Sequence, residues 1–283
     1  MQISWWTMGL PILRNMGINQ FNMNRCMFRL STGKRINSAA DDPAGLAISQ
    51  RMESQIRGLE MAKRNSEDGI SLLQTEDGYL DSVHSILQRM NELATQCANG
   101  TLKPEDRKYA DIEFQQLKAE INRIGRDAEF NEMPLFDSTR NSNIDKSDNT
   151  IKIHVGANSN QNISVKMHDM NAAQIGIGDA KIDTQENAQK AMDAVKNAIN
   201  DVSRKRAVIG ATMNRLEFIV QNQGNAIENL TSYQSRILDA DIAKEAMEYA
   251  KNNILMQVDQ SLVAQVNKQG QNMVDMLKKM LGQ

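Results

Sequence analysis

The chain has 283 residues, 33 of them basic and 35 acidic, for a net charge of −2. Without a basic surplus to neutralise phosphates, nucleic acid is excluded as a main partner, and no uninterrupted apolar run approaches the ~18 residues that a membrane span requires. Aromatics make up only 4% and all four prolines fall before residue 135, so the composition points to long polar helices rather than a large globular core.

The stretch from Trp5 to Leu13 is fairly apolar but lacks the basic leader, longer apolar core and small-residue cleavage site of a secretory signal. Any route out of the cell is therefore expected to leave the N-terminus uncleaved. Pro11 is expected to break or displace a terminal helix. The first clear helix start is Asp41-Asp42-Pro43-Ala44, where an aspartate caps free backbone N–H groups and proline sits in the first turn, where its missing N–H costs nothing. Met52, Ile56 and Leu59, then Leu80, Val83, Leu87, Met90 and Ala94, repeat at three-and-four spacing. Gly69 and Gly78 weaken this helix without ending it, and from Ala44 to Asn99 it would be about 84 Å long. Asn99-Gly100-Thr101 stops it. Lys103-Pro104-Glu105-Asp106 starts another, which runs to about Arg126 and carries Ile112, Leu117, Ile121 and Ile124 toward an antiparallel partner.

The middle changes period. Ile151, Ile153 and Val155 alternate with polar residues, Gly156 to Asn160 supplies turn chemistry, and Ile163, Val165 and Met167 alternate again, so a β-hairpin is expected. No other strand is expected, and 137–149 and 169–184 read as loops. From about Thr184 the helical period returns. Ile209, Met213, Leu216, Val220, Gln223, Ile227 and Leu230 form a heptad seam whose one polar position, Gln223, is of the kind that sets register. The last segment carries Met247, Ala250, Ile254, Val258, Leu262, Val266, Met273 and Leu277 at similar spacing. These terminal stripes are too thin to hold isolated helices. The first ~40 and last ~45 residues are expected to be largely disordered in a monomer and to become helical against neighbouring subunits.

The chemistry of catalysis is missing from the sequence. His84, His154 and His168 are scattered, and no zinc-protease, nucleophile-elbow or phosphate-loop pattern occurs. His154 and His168 flank the hairpin and could approach each other, but surface histidines on strand ends are the simpler reading. Asp41/Asp42 and Asp239/Asp241 read as helix starts rather than acid/base pairs. Cys26 and Cys97 lie 71 residues apart without metal-ligand spacing and read as free thiols. The 18 methionines read as adaptable core and subunit-contact filling. Arg204-Lys205-Arg206 and Lys278-Lys279 read as solvated helix faces. No catalytic residue, metal or cofactor is assigned.

Long strings within the chain carry a resemblance. Leu30 to Ser49 (LSTGKRINSAADDPAGLAIS), Gly58 to Thr75, Leu87 to Gly100 (LQRMNELATQCANG), Glu129-Phe130-Asn131 and Val155-Gly156-Ala157-Asn158 closely resemble bacterial flagellins. So do Asn229-Leu230-Thr231, Ser235-Arg236-Ile237 with Asp239, Asp241 and Glu245, and Ala264-Gln265-Val266-Asn267. The resemblance implies a structural subunit, not an enzyme, exported through the flagellar type III apparatus and polymerised at the tip of an extracellular helical filament for motility. The alternative within the same resemblance is a hook–filament junction protein or a minor flagellin paralogue. Partners implied are other copies of the chain, the filament cap and hook-junction proteins, an export chaperone on the C-terminal segment, and the flagellin-sensing Toll-like receptor of vertebrates. Arg89, Leu93 and Glu113 match positions of a receptor and subunit-contact patch. Leu30, Ile36, Leu46, Ile237, Ile254, Leu262 and Val266 are assigned to assembly.

The expected fold is mainly α: an elongated antiparallel helical bundle or coiled coil with a small β-hairpin and paired terminal helices. The expected segments are an N-terminal inner-core helix (1–40) paired with a C-terminal one (239–283), helical rods at 41–135 and 184–238, and hairpin and loops at 136–183.

Overall fold

The computed structural model describes residues 5–137, 140–141 and 149–280, with all of their side chains except those of residues 5–8, 277, 279 and 280. Most of the 137–149 loop and the side chain of Leu277 in the C-terminal stripe therefore lie outside the description. The described elements are α1 (Trp5–Thr32), α2 (Pro43–Ala98), α3 (Pro104–Asp127), β1 (Glu129–Phe130), β2 (Met133–Pro134), β3 (Thr150–His154), β4 (Asn162–Lys166), α4 (Gln185–Leu238) and α5 (Ile242–Met280). The chain divides into two compact units, one of Met1–Ser54 with Asn229–Gln283 and one of Gln55–Glu228.

The helix boundaries follow the expected chemistry. The Asp42 carboxylate accepts from the Gly45 amide at 3.0 Å, capping α2 ahead of Pro43. Asp41 does a different job, tying the preceding turn by accepting from the Asn37 and Ser38 amides and the Ser38 hydroxyl. Asp241 caps α5 by accepting from the Ala243 and Lys244 amides. Proline opens α3, with Glu105 and Asp106 in its first turn beside the positive end of the helix dipole.

In the unit of Gln55–Glu228, α2 and α4 run antiparallel. The hydroxyl of Thr95 donates to Met192 near one end of the contact, and Arg206 binds Asp77 and Asp81 further along. Their seams interlock at three-four spacing. Leu73, Leu80, Val83, Leu87, Met90, Ala94 and Cys97 on α2, and Ala188, Ala191, Val195, Ala198, Val202, Ile209 and Leu216 on α4, are all buried. From α3, Phe114, Ile121 and Ile124 close this core. Ile112 does not take part as expected. It is 56% exposed, because the buried face of α3 is set by Phe114, Ile121 two turns on and Ile124, and Ile112 falls to the side.

The hairpin forms in the expected register, Ile151 opposite Val165 and Ile153 opposite Ile163. It is fixed to both long helices. Buried Gln223 of the α4 seam donates to the Val155 carbonyl at 2.8 Å, and Asn65 of α2 donates to the His154 carbonyl. The register also keeps His154 and His168 apart. His154 sits opposite Asn162, whereas His168 follows the far end of β4, where Lys166 pairs with Thr150.

Two features were not anticipated. Glu129–Phe130 and Met133–Pro134 form a second, minimal hairpin across Asn131 and Glu132, whose φ values of 49° and 64° match a tight turn of the kind that joins twisted strands. The segment 168–182, most of the stretch 169–184 read as a loop, is a strap that buries Met170, Ala172, Ile175, Ile177 and Ile182. It runs along α3, where Asn122 accepts from the Ala172 amide and Asp111 from the Ile182 amide, each at 2.9 Å. Gly125 makes this approach possible, since a Cβ there would stand 1.8 Å from the Met170 carbonyl oxygen.

In the other unit, α1 and α5 are both helical and pack against each other. This differs from the expected disorder: each terminal helix finds its partner inside the chain, so neither is isolated. Pro11 lies inside α1 without displacing it. Only a short stretch of helix precedes the proline, and contact with α5 persists there, since a Cβ on Gly9 would lie 3.8 Å from Val266.

Candidate functional site

Three places bear on function: the seam and outer faces of α1 and α5, the turns beside them, and the Arg89 patch of α2 and α3. The less exposed positions of α5 include Glu245, Tyr249, Asn252, Met256, Asp259, Val263, Val266 and Gly270, an unbroken four-three repeat. Those of α1 include Gly9, Ile12, Met16, Asn19, Met23, Cys26 and Leu30, with the same repeat. Asn19 donates to Asp259 at 2.7 Å and Arg29 to Glu245 at 3.1 Å, fixing an antiparallel register. The seam that joins the helices is thus mixed: Asn19, Glu245, Asn252 and Asp259 interrupt a row that also holds Ile12, Met16, Met23, Leu30, Met256, Val263 and Val266.

The apolar stripe read from the sequence of α5 points elsewhere. Met247, Ile254, Val258, Leu262 and Met273 are 40–67% exposed, and Leu10, Leu13, Ile18, Phe21, Met27 and Phe28 of α1 are 49–66% exposed. Of the residues assigned to assembly, Leu30 and Val266 lie in the seam, whereas Ile254 and Leu262 face outward. The register is set by the polar pairs, and these turn the apolar stripe away from the partner helix.

Beside this seam the two connecting turns lock together. The Arg35 amide donates to the Leu238 carbonyl and the Ala240 amide to the Gly33 carbonyl, forming a bridge between Lys34 and Asp239. Gly33 takes φ +69°, and the Arg35 guanidinium adds a bond to the Ile237 carbonyl. Ile36 is buried under this crossing, and Leu46 and Ile237 are half-buried. Burial works to raise the pKa of Asp41, but the bonds from Asn37 and Ser38 and the nearby Arg29 outweigh it and hold the carboxyl below its ordinary range.

Cys26, Glu245 and Glu248 bring potential metal-ligating atoms within 4.8 Å of one another. Burial, then the hydrogen bond to Glu245 and the negative charges of Glu245 and Glu248, push the Cys26 thiol up. The Arg29 cation already pairs with Glu245. That favours a neutral thiol in the seam over a metal-binding thiolate.

At the Arg89 patch, the guanidinium binds Glu113 of α3 at 2.9 Å and Glu92 of its own helix at 3.1 Å. The Glu113 bond, then that of Glu92, raises the Arg89 pKa. Leu93 does not join them at the surface. It is 3% exposed and belongs to the core, since residues 90, 93, 94 and 97 form the inward face of α2. The surface patch is therefore the charged pair without the leucine.

A groove of about 1010 Å³ lies between α3, the strap and α4, with Lys118, Arg126, Lys181, Lys190 and Asp179 among its charged lining. Lys118 is tied to the Gly178 and Ala180 carbonyls. Among the described residues, none of the buried side-chain atoms that lack a hydrogen-bond partner lines it. Sequence reading also missed that Lys205 and Arg206 are not simply solvated. Lys205 sits in the α4 seam with its side chain 16% exposed, and Arg206 ties α4 to α2. Their place in the repeat, three and four residues after buried Val202 and four and three before buried Ile209, was the available signal.

Comparison with known proteins gives one answer across most of the chain. Residues 3–141 match the bacterial flagellin N-terminal helical region and residues 192–277 the bacterial flagellin C-terminal helical region. The chain is 46% identical to a flagellin of Halalkalibacterium halodurans, over 94% of this chain and 95% of that one. It is 41% identical to a flagellin of Bacillus subtilis, over 98% of this chain and 100% of that one. Among solved structures, the crystal structure of Bacillus cereus flagellin matches with a TM-score of 0.50 and 31% identity, covering 56% of this chain and 88% of that one. With the helical signatures at both ends, the small hairpin between them and near full-length relatives at this identity, the chain belongs to the bacterial flagellin family.

Proposed function

We infer that the chain works as a structural subunit that self-assembles into the helical flagellar filament. The observation that carries this reading is the outward turn of the apolar stripes. Phe21, Phe28, Ile254, Val258 and Leu262 stand on exposed faces of two helices whose mutual seam leaves them uncovered. An apolar surface of this extent on a chain of low net charge is satisfied by contact with further copies. Tight side-by-side packing of many such helix pairs is the arrangement that covers every stripe at once.

The finer assignments rest on the family. They are export without a cleaved signal peptide, an extracellular site of assembly, contacts with the filament cap and hook-junction proteins, and a chaperone on the segment from about Asp239 onward. Among the described residues no helix is long and apolar enough to cross a membrane. The exposed stripe of α5 offers a chaperone an amphipathic helix to hold in a groove. Arg89 and Glu113 offer the vertebrate receptor a charged pair on adjacent helices, whereas buried Leu93 acts through packing.

The test is electron microscopy of purified full-length protein mixed with short filament seeds, beside a chain lacking residues 239–283. Long uniform filaments from the full chain alone support the reading. Monomers or small oligomers from both chains would reject the filament subunit in favour of the junction-protein alternative.

A further inference from the structure

The α2 seam contains one charged residue. Leu73, Glu76, Leu80, Val83 and Leu87 follow the same three-four repeat, and the Glu76 side chain is fully buried. Neither of its oxygens has a hydrogen-bond partner. A carboxylate in that state carries a large desolvation cost, and a protein that keeps one in its core holds a proton there instead. The nearest group able to share that proton is His168, whose Nδ1 lies 3.8 Å from Glu76 Oε1, beyond hydrogen-bonding reach, and is itself buried and unbonded. His168 is the first residue of the strap 168–182.

We propose that Glu76 and His168 form a one-proton latch that seats the start of the strap on α2 and loosens as pH rises. With one proton on the pair, the site is either neutral or an ion pair, and both states are tolerated in the core. When that proton leaves, a lone carboxylate remains buried beneath the strap. Water then has to reach it, and the shortest way is to lift His168 and the residues that follow.

The other charges around Glu76 do not cancel this effect. On its own helix, Asp77 adds repulsion, though Arg206 of α4 binds Asp77. From the α4 seam, Lys205 offers attraction, but its ammonium is held by Asp201 at 3.0 Å. From the strap, His168 favours ionisation of Glu76 only while it holds the proton itself. Burial dominates and raises the Glu76 pKa. A carboxyl with a raised folded pKa contributes stability that is complete below the ordinary carboxylate range and is lost as pH rises through the folded value.

The experiment uses the full-length monomer and two variants, Glu76→Gln and His168→Gln. Urea midpoints and amide hydrogen exchange at Ile175 and Ile177 are followed from pH 5 to pH 9, with protection factors corrected for intrinsic exchange. The wild type should fall behind Glu76→Gln as pH rises, with strap protection dropping relative to that variant by up to about tenfold per pH unit through the transition. His168→Gln should move the transition to lower pH, since the carboxyl then holds its proton unaided. Parallel pH curves for the wild type and Glu76→Gln would overturn the latch. A relative loss spread evenly over the unit, with the strap no weaker than Phe114 of the core, would overturn its placement at the strap. An unmoved transition in His168→Gln would remove His168 from the pair.

Discussion

The seam between α1 and α5 and the seam between α2 and α4 obey the same repeat and are filled differently. Leucine, valine, isoleucine and methionine dominate the second, with Glu76 and Lys205 as its charged positions. Asparagine, aspartate, glutamate, cysteine and glycine share the first with Ile12, Met16, Met23, Leu30, Met256, Val263 and Val266, and many further apolar residues of those helices stand outside it. Periodicity therefore says that a helix has a buried face, and the filling says who buries it. One unit spends its apolar surface on itself, and the other keeps most of it for neighbours.

The largest effect that tests this contrast is Phe114→Ala. Phe114 is fully buried, and its truncation should destabilise the Gln55–Glu228 unit by about 3–5 kcal/mol, read from urea denaturation. Its counterpart is Ile254→Asp on the outward stripe, which should move monomer stability by no more than about 0.5 kcal/mol and yet abolish seeded filament growth. A large monomer effect from Ile254→Asp would mean that the stripe is used within the chain, and the contrast would collapse.

Gly125→Ala sharpens the same comparison by asking how tightly the self-contained unit is packed. Helix propensity alone favours alanine by about 1 kcal/mol. Against this stands a new methyl 1.8 Å from the Met170 carbonyl, a backbone atom that moves only if the strap moves. Displacement should win, for a net loss of about 1–3 kcal/mol, with exchange rising first at the strap amides. A neutral or stabilising result would show that the strap is loosely held.

These two substitutions also mark what the sequence made legible. Helix starts at Asp42 and Asp241, the stop after Ala98, the main hairpin and the family signatures were all readable, because each depends on local chemistry or on long specific strings. The strap was not. Its apolar residues, Met170, Ile175, Ile177 and Ile182, follow neither a helical nor a strand period, since side-chain bonds to Asn122 and Asp111 hold its backbone in place of a ladder. The burial of Leu93 was missed for another reason. At a heptad core of this width both Leu93 and Ala94 point inward, so a spacing of four from Arg89 did not put the two on one exposed face. Likewise the stripe of α5 was visible as a stripe, but its direction depended on polar pairs with α1, which only the fold brings together.

A smaller effect lies in the turn beside the α1–α5 seam. The depressed Asp41 carboxyl contributes stability that is present above the ordinary carboxylate range and is lost as pH falls through its folded value. Asp41→Asn should therefore lower the neutral-pH midpoint and flatten its acid limb, by no more than about 1 kcal/mol once solvent screening is allowed for. The acid limb of Glu76→Gln should be unaffected in this way, because Glu76 acts with the opposite sign.

The smallest expected change in stability is at the surface pair, and there the comparison with the core becomes most useful. Arg89 and Glu113 are both about half exposed, so breaking their bond with Arg89→Ala or Glu113→Ala should leave the denaturation midpoint unmoved within error. Leu93→Ala should lower the midpoint clearly, because its side chain is in the core. Receptor-signalling assays on the three variants then separate two routes to the same loss. If the charged pair is read directly, Arg89→Ala and Glu113→Ala lose potency while keeping full stability, and Leu93→Ala loses potency only in proportion to its unfolding. If Leu93→Ala alone loses potency, the pair is an ordinary surface ion pair and the receptor reading of this face falls.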